Sequence, residues 1–333
     1  MEFHEKRRQQ FLTEASYIAT TKFFDENSGP RYLRALSRQD FDSEDRSGVA
    51  DAYADDTFTN YMLRYTAGES IQALREDLEN VIAAFEQATH YVREHERNPN
   101  FPPLRFIEID EYERVLQMIG LCFLLHRRDL LPRIAAMFDP ASADKDTLYE
   151  DMLAFSLEGR FDVDHWYHDV PYCDLINTIY CDTDDECSAA FQRYLKSWYI
   201  SLVKAPWHDS HLNIEDDTCA GYFGYWAIEA AAVAYLLEFD DTAFREHLVY
   251  PKDLVDFART MDAAAEPSST VKEDVAGMRV EGGQPCPKSG YWTTPAQQDS
   301  RRYFNAREIM PTFEHSAYGA TIWQWSEEQG IGE

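Results

Sequence analysis

The sequence predicts a mainly α fold, a compact multi-helix domain followed by a small C-terminal antiparallel β module. Two observations lead to this prediction. Apolar residues recur at three-to-four spacing through most of residues 1–265, which is the period of an amphipathic helix. Beyond residue 266, short aromatic and β-branched segments are separated by Gly or Pro, as is typical of strands and turns.

The helical part predicts a series of helices with recognisable ends. The segment "GESIQALREDLENVIAAFEQATHYVREHER" carries one apolar stripe, and "NPNFPP" ends it; the stripe consists of Ile71, Leu74, Leu78, Val81, Ile82, Phe85 and Ala88. The segment "EIDEYERVLQMIGLCFLLHRRDLLPRIAAMF" predicts two helices, with Pro132 near the start of the second. Three more predictions follow from "DKDTLYEDMLAFSLEG", which ends at Gly159, "ECSAAFQRYLKSWYISL" and "YPKDLVDFARTM".

One segment, "GYFGYWAIEAAAVAYLLEF", is apolar all the way round and predicts a buried helix with Glu229 in its middle. A lone buried carboxylate is costly unless an Arg, Lys, His or hydroxyl group pairs with it. Glu229 is therefore a catalyst, a ligand or a structural tie between helices. We favour the tie, because its helix offers no second catalytic group.

Three regions follow from this pattern. Residues 1–118 form an N-terminal helical half, and residues 119–265 form a C-terminal half of the same continuous helical body. After the connection "AEPSSTVKED", residues 270–333 form a β-rich module with strands in "SGYWTTP", "SRRYFNAREIMP" and "GATIWQW". Because so small a sheet is marginally stable alone, we expect the module to dock on the helical body.

The strongest global property is the net charge of −29, from 60 acidic and 31 basic residues. Such a chain repels nucleic acid and anionic lipid, so the expected partner is a basic protein rather than DNA, RNA or a membrane; a general solubility surface is the alternative. No uncharged apolar run could span a membrane, and the first residues resemble no signal peptide, which favours a cytoplasmic protein. The six cysteines lack short paired spacing and are expected to be reduced.

Neither a metal site nor an active site is predicted. His165 and His168 are three residues apart, but Cys173, Cys181 and Cys187 follow at gaps of eight and six, which fit zinc spacing poorly. Phosphate-loop, dinucleotide, metalloprotease and hydrolase motifs are all missing from the sequence. We therefore expect no catalytic residue, no cofactor and no enzyme activity.

The acidic residues concentrate in the central body, most densely over residues 139–187, with 14 acids against two bases. We predict that three clusters bind a partner: Asp162 and Asp164; Asp182, Asp184, Asp185 and Glu186; and Glu215, Asp216 and Asp217. The alternative is helix capping, since acids near a helix N-terminus are favoured by the helix dipole. Capping accounts well for the third cluster, whereas for the second it explains one or two acids and not four.

The segment "GYWAIEAAAVAYLLEFDDTAFREHLVYPKDLVDFAR" resembles the C-terminal helical domain of the polymorphic nuclease immunity (PoNi-like) family. The shared pattern includes Tyr225 and Trp226, Glu229, Asp240 and Asp241, then Tyr250, Pro251, Asp253 and Leu254. "RDLLPRIAAMF" and "YLKSWYISLVKAPWHDSH" are similar to the helices that precede it. The tail, with "CPKSGYW" and "RRYF", resembles a small module of other secretion-system immunity proteins, and its presence departs from the simplest family layout.

The resemblance implies a non-enzymatic cytoplasmic inhibitor of a type VI secretion nuclease toxin, and it implies structural roles for Trp226, Glu229, Tyr250, Pro251 and Asp253. The leading hypothesis is an immunity protein whose acidic face competes with nucleic acid for a basic nuclease. We expect this nuclease to be a DNase. Two alternatives stay open: immunity to a non-nuclease effector through a site away from its catalytic centre, and a helical enzyme of unknown reaction. The oligomeric state is left undetermined by the sequence.

Overall fold

The fold is described from a computed structural model that covers the chain in residues 2–214, 219, 221–265, 279–297, 300–313 and 321–326. The chain divides into two compact units, Met1–Ala265 and Glu266–Glu333. The first is helical and the second carries a small antiparallel sheet, so the predicted fold class is confirmed. Docking of the second unit on the first stays a prediction, as does the division of the helical body at residue 118.

The helical unit is built from helices joined by connections of different lengths, with the longest between α10 and α11. In chain order they are α1 Phe3–Lys6, α2 Glu14–Phe23, α3 Gly29–Leu36, α4 Ser43–Thr66, α5 Ile71–Glu96, α6 Ile109–Leu124, α7 Leu131–Ser142, α8 Thr147–Ala154, α9 Tyr172–Tyr180, α10 Asp184–Ser201, α11 Ile228–Leu236 and α12 Lys252–Ala265. A π-helical segment, Phe24–Ser28, joins α2 to α3.

Two almost completely buried helices, α6 and α11, form the centre of the helical unit. They pack against each other, and α5, α7, α8 and α12 pack around one or both of them. The close approach depends on Gly120 of α6, because a Cβ atom there would lie 3.0 Å from the Ile228 side chain. A helix as uniformly apolar as α11 is expected in such a position.

The longest antiparallel pair, α4 and α5, confirms the predicted apolar stripe. Ser70 caps the start of α5 by accepting a hydrogen bond from the Ala73 N–H at 3.2 Å. Along α5 the six stripe residues after Ile71 are buried, and Ile71 itself is half-buried. The helix ends at Arg97, which has a left-handed φ of 52°, just before the predicted "NPNFPP" stop.

The apolar helix around Glu229 is shorter than predicted, since α11 begins at Ile228 and Glu229 lies in its first turn. The backbone before it bonds to distant partners instead of forming a helix: Gln9 bonds both the N–H and the carbonyl of Tyr225, and the Ala227 N–H bonds the Val249 carbonyl at 2.9 Å. Gly224 has φ +109°, a left-handed value that ends helical propagation. Helix α8 is also shorter than predicted and ends at Ala154, before Gly159.

The second unit contains a four-stranded antiparallel sheet. Its strands are β1 Arg279–Glu281, β2 Gly290–Thr293, β3 Arg302–Phe304 and β4 Ile322–Trp325, and their order in the sheet is β1-β4-β2-β3. Strands β2, β3 and β4 lie within the three predicted segments, whereas β1 was not predicted. Its own small core contains Cys286, Trp292, Phe304, Met310 and Trp323.

Across the ranges that the structure describes, none of the helices combines the length and the apolar character needed to cross a lipid bilayer.

Candidate functional site

Six predicted acidic residues lie on the surface of the helical unit, and we call them the acidic face: Asp162, Asp164, Asp182, Asp184, Asp185 and Glu186. Asp162 and Asp164 belong to the connection between α8 and α9, and the other four lie at the junction of α9 and α10. All six are exposed, so each carboxylate is accessible to a partner. The third predicted cluster, Glu215, Asp216 and Asp217, lies outside the described residues.

The start of α10 explains more of this acidity locally than the sequence predicts. Thr183 caps the helix by accepting a hydrogen bond from the Glu186 N–H at 3.3 Å, and Asp184, Asp185 and Glu186 fill the first turn. Negative side chains there interact favourably with the helix dipole. Helix capping and the dipole thus account for three of the four acids, rather than one or two.

An exposed tyrosine connects the two parts of the acidic face. The Tyr180 hydroxyl, at the end of α9, donates a hydrogen bond to Asp151 of α8 at 2.7 Å. Burial raises the pKa of Asp151, and the negative charge of Asp162 raises it further. Asp162 also raises the pKa of Tyr180, after burial and the Asp151 hydrogen bond. The fold therefore brings Asp162 near Tyr180, which is followed directly by Cys181 and Asp182.

Not every acid of the dense 139–187 stretch reaches the surface. Asp146 and Glu150 are fully buried, and the partly exposed Asp139 accepts a hydrogen bond from the Tyr149 hydroxyl. The Arg160 guanidinium pairs with Glu150 at 2.7 Å and with Asp139 at 2.8 Å, which compensates these charges. Asp146 caps α8 and accepts the Tyr112 hydroxyl at 2.8 Å. The sequence count alone therefore overstates the charge available to a partner.

The cysteine expectation is corrected at one pair. Cys181 and Cys187 form a disulfide, with Cα atoms 5.4 Å apart, that closes the loop containing Asp182–Glu186; Cys122, Cys173, Cys219 and Cys286 are free. In the sequence, the gap of six residues between Cys181 and Cys187 indicates only a poor zinc spacing. The turn from the end of α9 into α10 brings the two sulfur atoms together.

Three of the five residues considered for a metal have other partners. His168 Nε2 lies 2.7 Å from the Phe106 carbonyl oxygen, and Cys181 and Cys187 are joined to each other. Within the described part of the chain, no group of three or more His, Cys, Asp or Glu side chains is arranged to hold a metal ion.

Glu229 lies in the sealed core, and its carboxylate joins α11 to α10. Its Oε1 atom accepts hydrogen bonds from the Tyr194 hydroxyl at 2.5 Å and from Trp198 Nε1 at 2.8 Å. The residue is 0% exposed, so a substrate has no access to it. Sequence reasoning named a hydroxyl as one acceptable partner but did not identify Tyr194 or Trp198, because both lie on a separate helix.

Two other motif residues, Trp226 and Asp253, bond to the N-terminal half of the helical unit. Trp226 Nε1 donates to the Thr66 hydroxyl at 2.8 Å, and the Trp226 ring packs edge-on against Tyr65 at 5.0 Å. Asp253 accepts hydrogen bonds from Arg8 and from the Tyr65 hydroxyl.

Tyr250 and Pro251 are buried just before α12. The Tyr250 hydroxyl donates to Asp241 at 3.1 Å, so this pair of motif positions lies inside the body and not on the acidic face.

One solved structure with a similar fold is protein PA2201 from Pseudomonas aeruginosa. The two chains are 20% identical, the TM-score is 0.59, and the match covers 77% of this chain and 92% of that chain. At this identity the likeness concerns the fold alone. No curated protein sequence matches the chain significantly.

The family comparison covers much of the region described above. Residues 144–254 match the family model of the C-terminal domain of the PoNe immunity proteins (PoNi). This range includes α8, α9, α10 and α11, the whole acidic face and all of the predicted motif. The resemblance predicted from the sequence is thereby confirmed for this region, since residues 144–254 match the PoNi C-terminal domain.

Proposed function

We propose that the protein is an immunity protein that binds and neutralises a cognate nuclease toxin, without catalysing a reaction itself. The observation that carries the proposal is the PoNi C-terminal domain over residues 144–254, since that family is described as immunity proteins. The exposed carboxylates of the acidic face lie in the same range and give the proposal a physical basis. The toxin is a type VI secretion effector, and a DNase is the first activity to test.

The contact surface in this proposal combines charge with aromatic anchors. Beside the acidic face, Phe155, Phe161 and Tyr180 are 40%, 50% and 56% exposed. Large aromatic side chains surrounded by polar groups are frequent energetic centres of protein interfaces. The surrounding carboxylates supply complementarity to a basic partner and speed its association.

Competition with nucleic acid is the proposed mechanism of neutralisation. A nuclease binds the phosphate backbone through a basic surface, and several carboxylates held on one rigid face present similar negative charge to that surface. The immunity protein then occupies the basic cleft of the toxin, so DNA cannot enter. Because this attraction is electrostatic, the association rate should fall as salt concentration rises.

The experiment uses the toxin encoded beside this gene, purified as an inactive variant, together with the full immunity chain. We expect co-expression to restore growth of cells that produce the active toxin, and the purified proteins to associate at low and moderate salt. DNA that occupies the toxin cleft should slow this association. Lack of any association at either salt concentration would exclude the proposed function.

The alternative is binding away from the catalytic centre, to a nuclease or to another effector. It retains rescue and association but removes the competition, so saturating DNA would leave the association rate unchanged. An enzyme is the second alternative, and turnover of a small molecule by the purified chain would support it. The two carboxyls with the most unusual surroundings, Glu113 and Glu229, are 3% and 0% exposed, which argues against a catalytic role for them.

A further inference from the structure

Two buried glutamates flank a pair of stacked indole rings at the centre of the helical unit. The rings of Trp198 and Trp207 lie 5.3 Å apart at an interplanar angle of 17°. Trp198 Nε1 donates to Glu229 Oε1 at 2.8 Å, and Trp207 Nε1 donates to Glu113 Oε2 at 3.0 Å. Glu113 belongs to α6 and Glu229 to α11, so the arrangement spans the central helix pair.

Every hydrogen-bond donor to these two carboxyls is electrically neutral. Tyr194 donates to Glu229 at 2.5 Å, and the amide of Gln117 donates to Glu113 at 2.8 Å. Within the described ranges, neither Glu113 nor Glu229 forms an ion pair with a Lys, Arg or His side chain. Burying an ionised carboxylate without a cation carries a large desolvation cost, which neutral donors compensate only in part.

One oxygen of Glu229 and one nearby hydroxyl have no partner among the described residues. Glu229 Oε2 and the Tyr172 Oη atom are both fully buried, and neither makes a hydrogen bond to that part of the chain. The Tyr172 ring lies 6.0 Å from the Tyr194 ring, whose hydroxyl holds the other oxygen of Glu229. A protonated, neutral carboxyl tolerates a buried oxygen without a partner better than an ionised carboxylate does, because burying an uncompensated charge costs far more.

We propose that Glu113 and Glu229 form a proton-binding site in the core, where at neutral pH the pair holds at least one proton in place of a compensating cation. The site differs from Glu150 and Asp241, two buried acids that arginines hold as charged groups, and from Asp146, whose two oxygens both accept hydrogen bonds. Glu150 is also 0% exposed, but Arg160 pairs with it at 2.7 Å, so its burial is compensated by a charge. The proton-binding site does not depend on the proposed function.

Among the titratable groups around the site, the two carboxyls are the ones that hold the proton. The titratable and charged groups that act on it are Asp110, Tyr112 and Arg114 of α6, Asp146 at the start of α8, Tyr172 of α9 and Tyr194 of α10. Burial raises the pKa of all three tyrosines well above its usual value, so they stay neutral. The positive charge of Arg114 opposes the rise in the pKa of Glu113, but its guanidinium forms its ion pair with Asp55 and not with either glutamate.

The pKa values of both glutamates support this assignment. Burial raises the pKa of Glu229 to about 7, against the opposing effect of the Tyr194 and Trp198 hydrogen bonds. Burial also raises the pKa of Glu113 well above its usual value, and the neighbouring charge of Glu229 raises it further.

The site makes the free energy of unfolding fall as pH rises, whereas an ion-paired acid makes it rise. A carboxyl whose pKa is higher in the folded state stabilises the fold fully below its unfolded pKa, and this contribution is lost as pH rises through the folded pKa. For Glu229 the window extends from its ordinary pKa of 4.5 to about 7. Between pH 5 and 8, this single group raises the unfolding equilibrium constant by roughly 50- to 100-fold.

The test compares urea unfolding of the wild-type chain and Glu229→Gln at pH 5 and pH 8. Glutamine keeps an oxygen for Tyr194 and Trp198 and places an N–H donor where the proton would lie, but it does not titrate. We expect the variant to gain stability relative to wild type between the two pH values, by roughly 50- to 100-fold in the unfolding constant. Glu150→Gln is the matched control, because it removes an ion-paired carboxylate. The stability of this variant relative to wild type should not increase between pH 5 and pH 8.

Infrared spectroscopy gives a second readout that does not require a variant to fold well. At neutral pH the wild-type chain should show the C=O stretch of a buried, protonated carboxyl, and Glu229→Gln or Glu113→Gln should remove or shift it. The band should persist in Glu150→Gln. Absence of this band from the wild-type spectrum at pH 6 would overturn the proposal. A pH-independent difference between wild type and Glu229→Gln in unfolding would also overturn it.

Discussion

Replacing Asp241 with Asn should destabilise the helical unit strongly, because this carboxylate holds two arginines. Its side chain is 4% exposed and accepts hydrogen bonds from Arg245 at 2.8 Å, from Arg259 at 3.0 Å and from the Tyr250 hydroxyl at 3.1 Å. Burial tends to raise the pKa of Asp241, but the two guanidinium groups outweigh that effect and lower it. The carboxylate therefore links the segment after α11 to α12 as a charged group.

The expected magnitude follows from these distances. At an effective dielectric constant of about 20, each pair near 3 Å is worth roughly 5–6 kcal/mol of Coulomb attraction, most of which offsets desolvation. Removing one partner of a buried pair typically costs about 3–5 kcal/mol. Since the arginine side chains are 24% and 36% exposed and water screens them in part, we expect the lower end, about 3 kcal/mol.

Urea unfolding at pH 7, followed by tryptophan fluorescence, measures this loss, with Asp240→Asn as the exposed neighbouring control. Because the pKa of Asp241 is lowered in the fold, its contribution is present above the ordinary value of 3.8 and is lost as pH falls through the folded pKa. The difference between Asp241→Asn and wild type should therefore shrink in acid. Equal unfolding midpoints for Asp241→Asn and Asp240→Asn at pH 7 would refute the reasoning.

Two further predictions concern the backbone before α11 and the acidic face. Gly224→Ala should cost more than about 1 kcal/mol in the same unfolding assay, because φ is +109° and the new Cβ would lie 2.1 Å from the Thr66 hydroxyl oxygen; an unchanged midpoint would contradict this account. Replacing Asp184, Asp185 and Glu186 together with Lys should slow association with the cognate toxin by about tenfold or more at low salt, with little effect in high salt, as measured by stopped-flow fluorescence. Wild-type association rates for this variant would exclude the α10 cluster from the interface.

The acidic face shows what a count of acidic residues predicts and what depends on the fold. The sequence correctly indicates that residues 139–187 are rich in carboxylates, but their number alone does not show which of them the fold exposes. It does not distinguish Glu150, which Arg160 neutralises in the core, from Asp162, which faces solvent. That distinction depends on which side of α8 faces the centre and on where the α8–α9 connection returns.

The helix containing Glu229 shows the same division. Its apolar composition predicts burial, and the burial is observed throughout Ile228–Tyr235. Its starting point could not be predicted, because residues 225–227 bond to Gln9 and Val249, which are remote in the sequence. Local propensity describes neighbours along the chain, whereas these bonds depend on the packing of the N-terminal segment.

The sequence by itself determines the mainly α class, the position of the C-terminal β segments, the net negative charge and the resemblance to the PoNi-like family. These properties depend on periodicity, composition and local motifs, which are already present in the unfolded chain. Only the tertiary structure decides which carboxylates face solvent, that Cys181 pairs with Cys187, and that Glu113 and Glu229 lie beside stacked indoles with no ion pair to any described residue. Those outcomes depend on contacts between distant segments, because desolvation and pairing arise only when the helices pack.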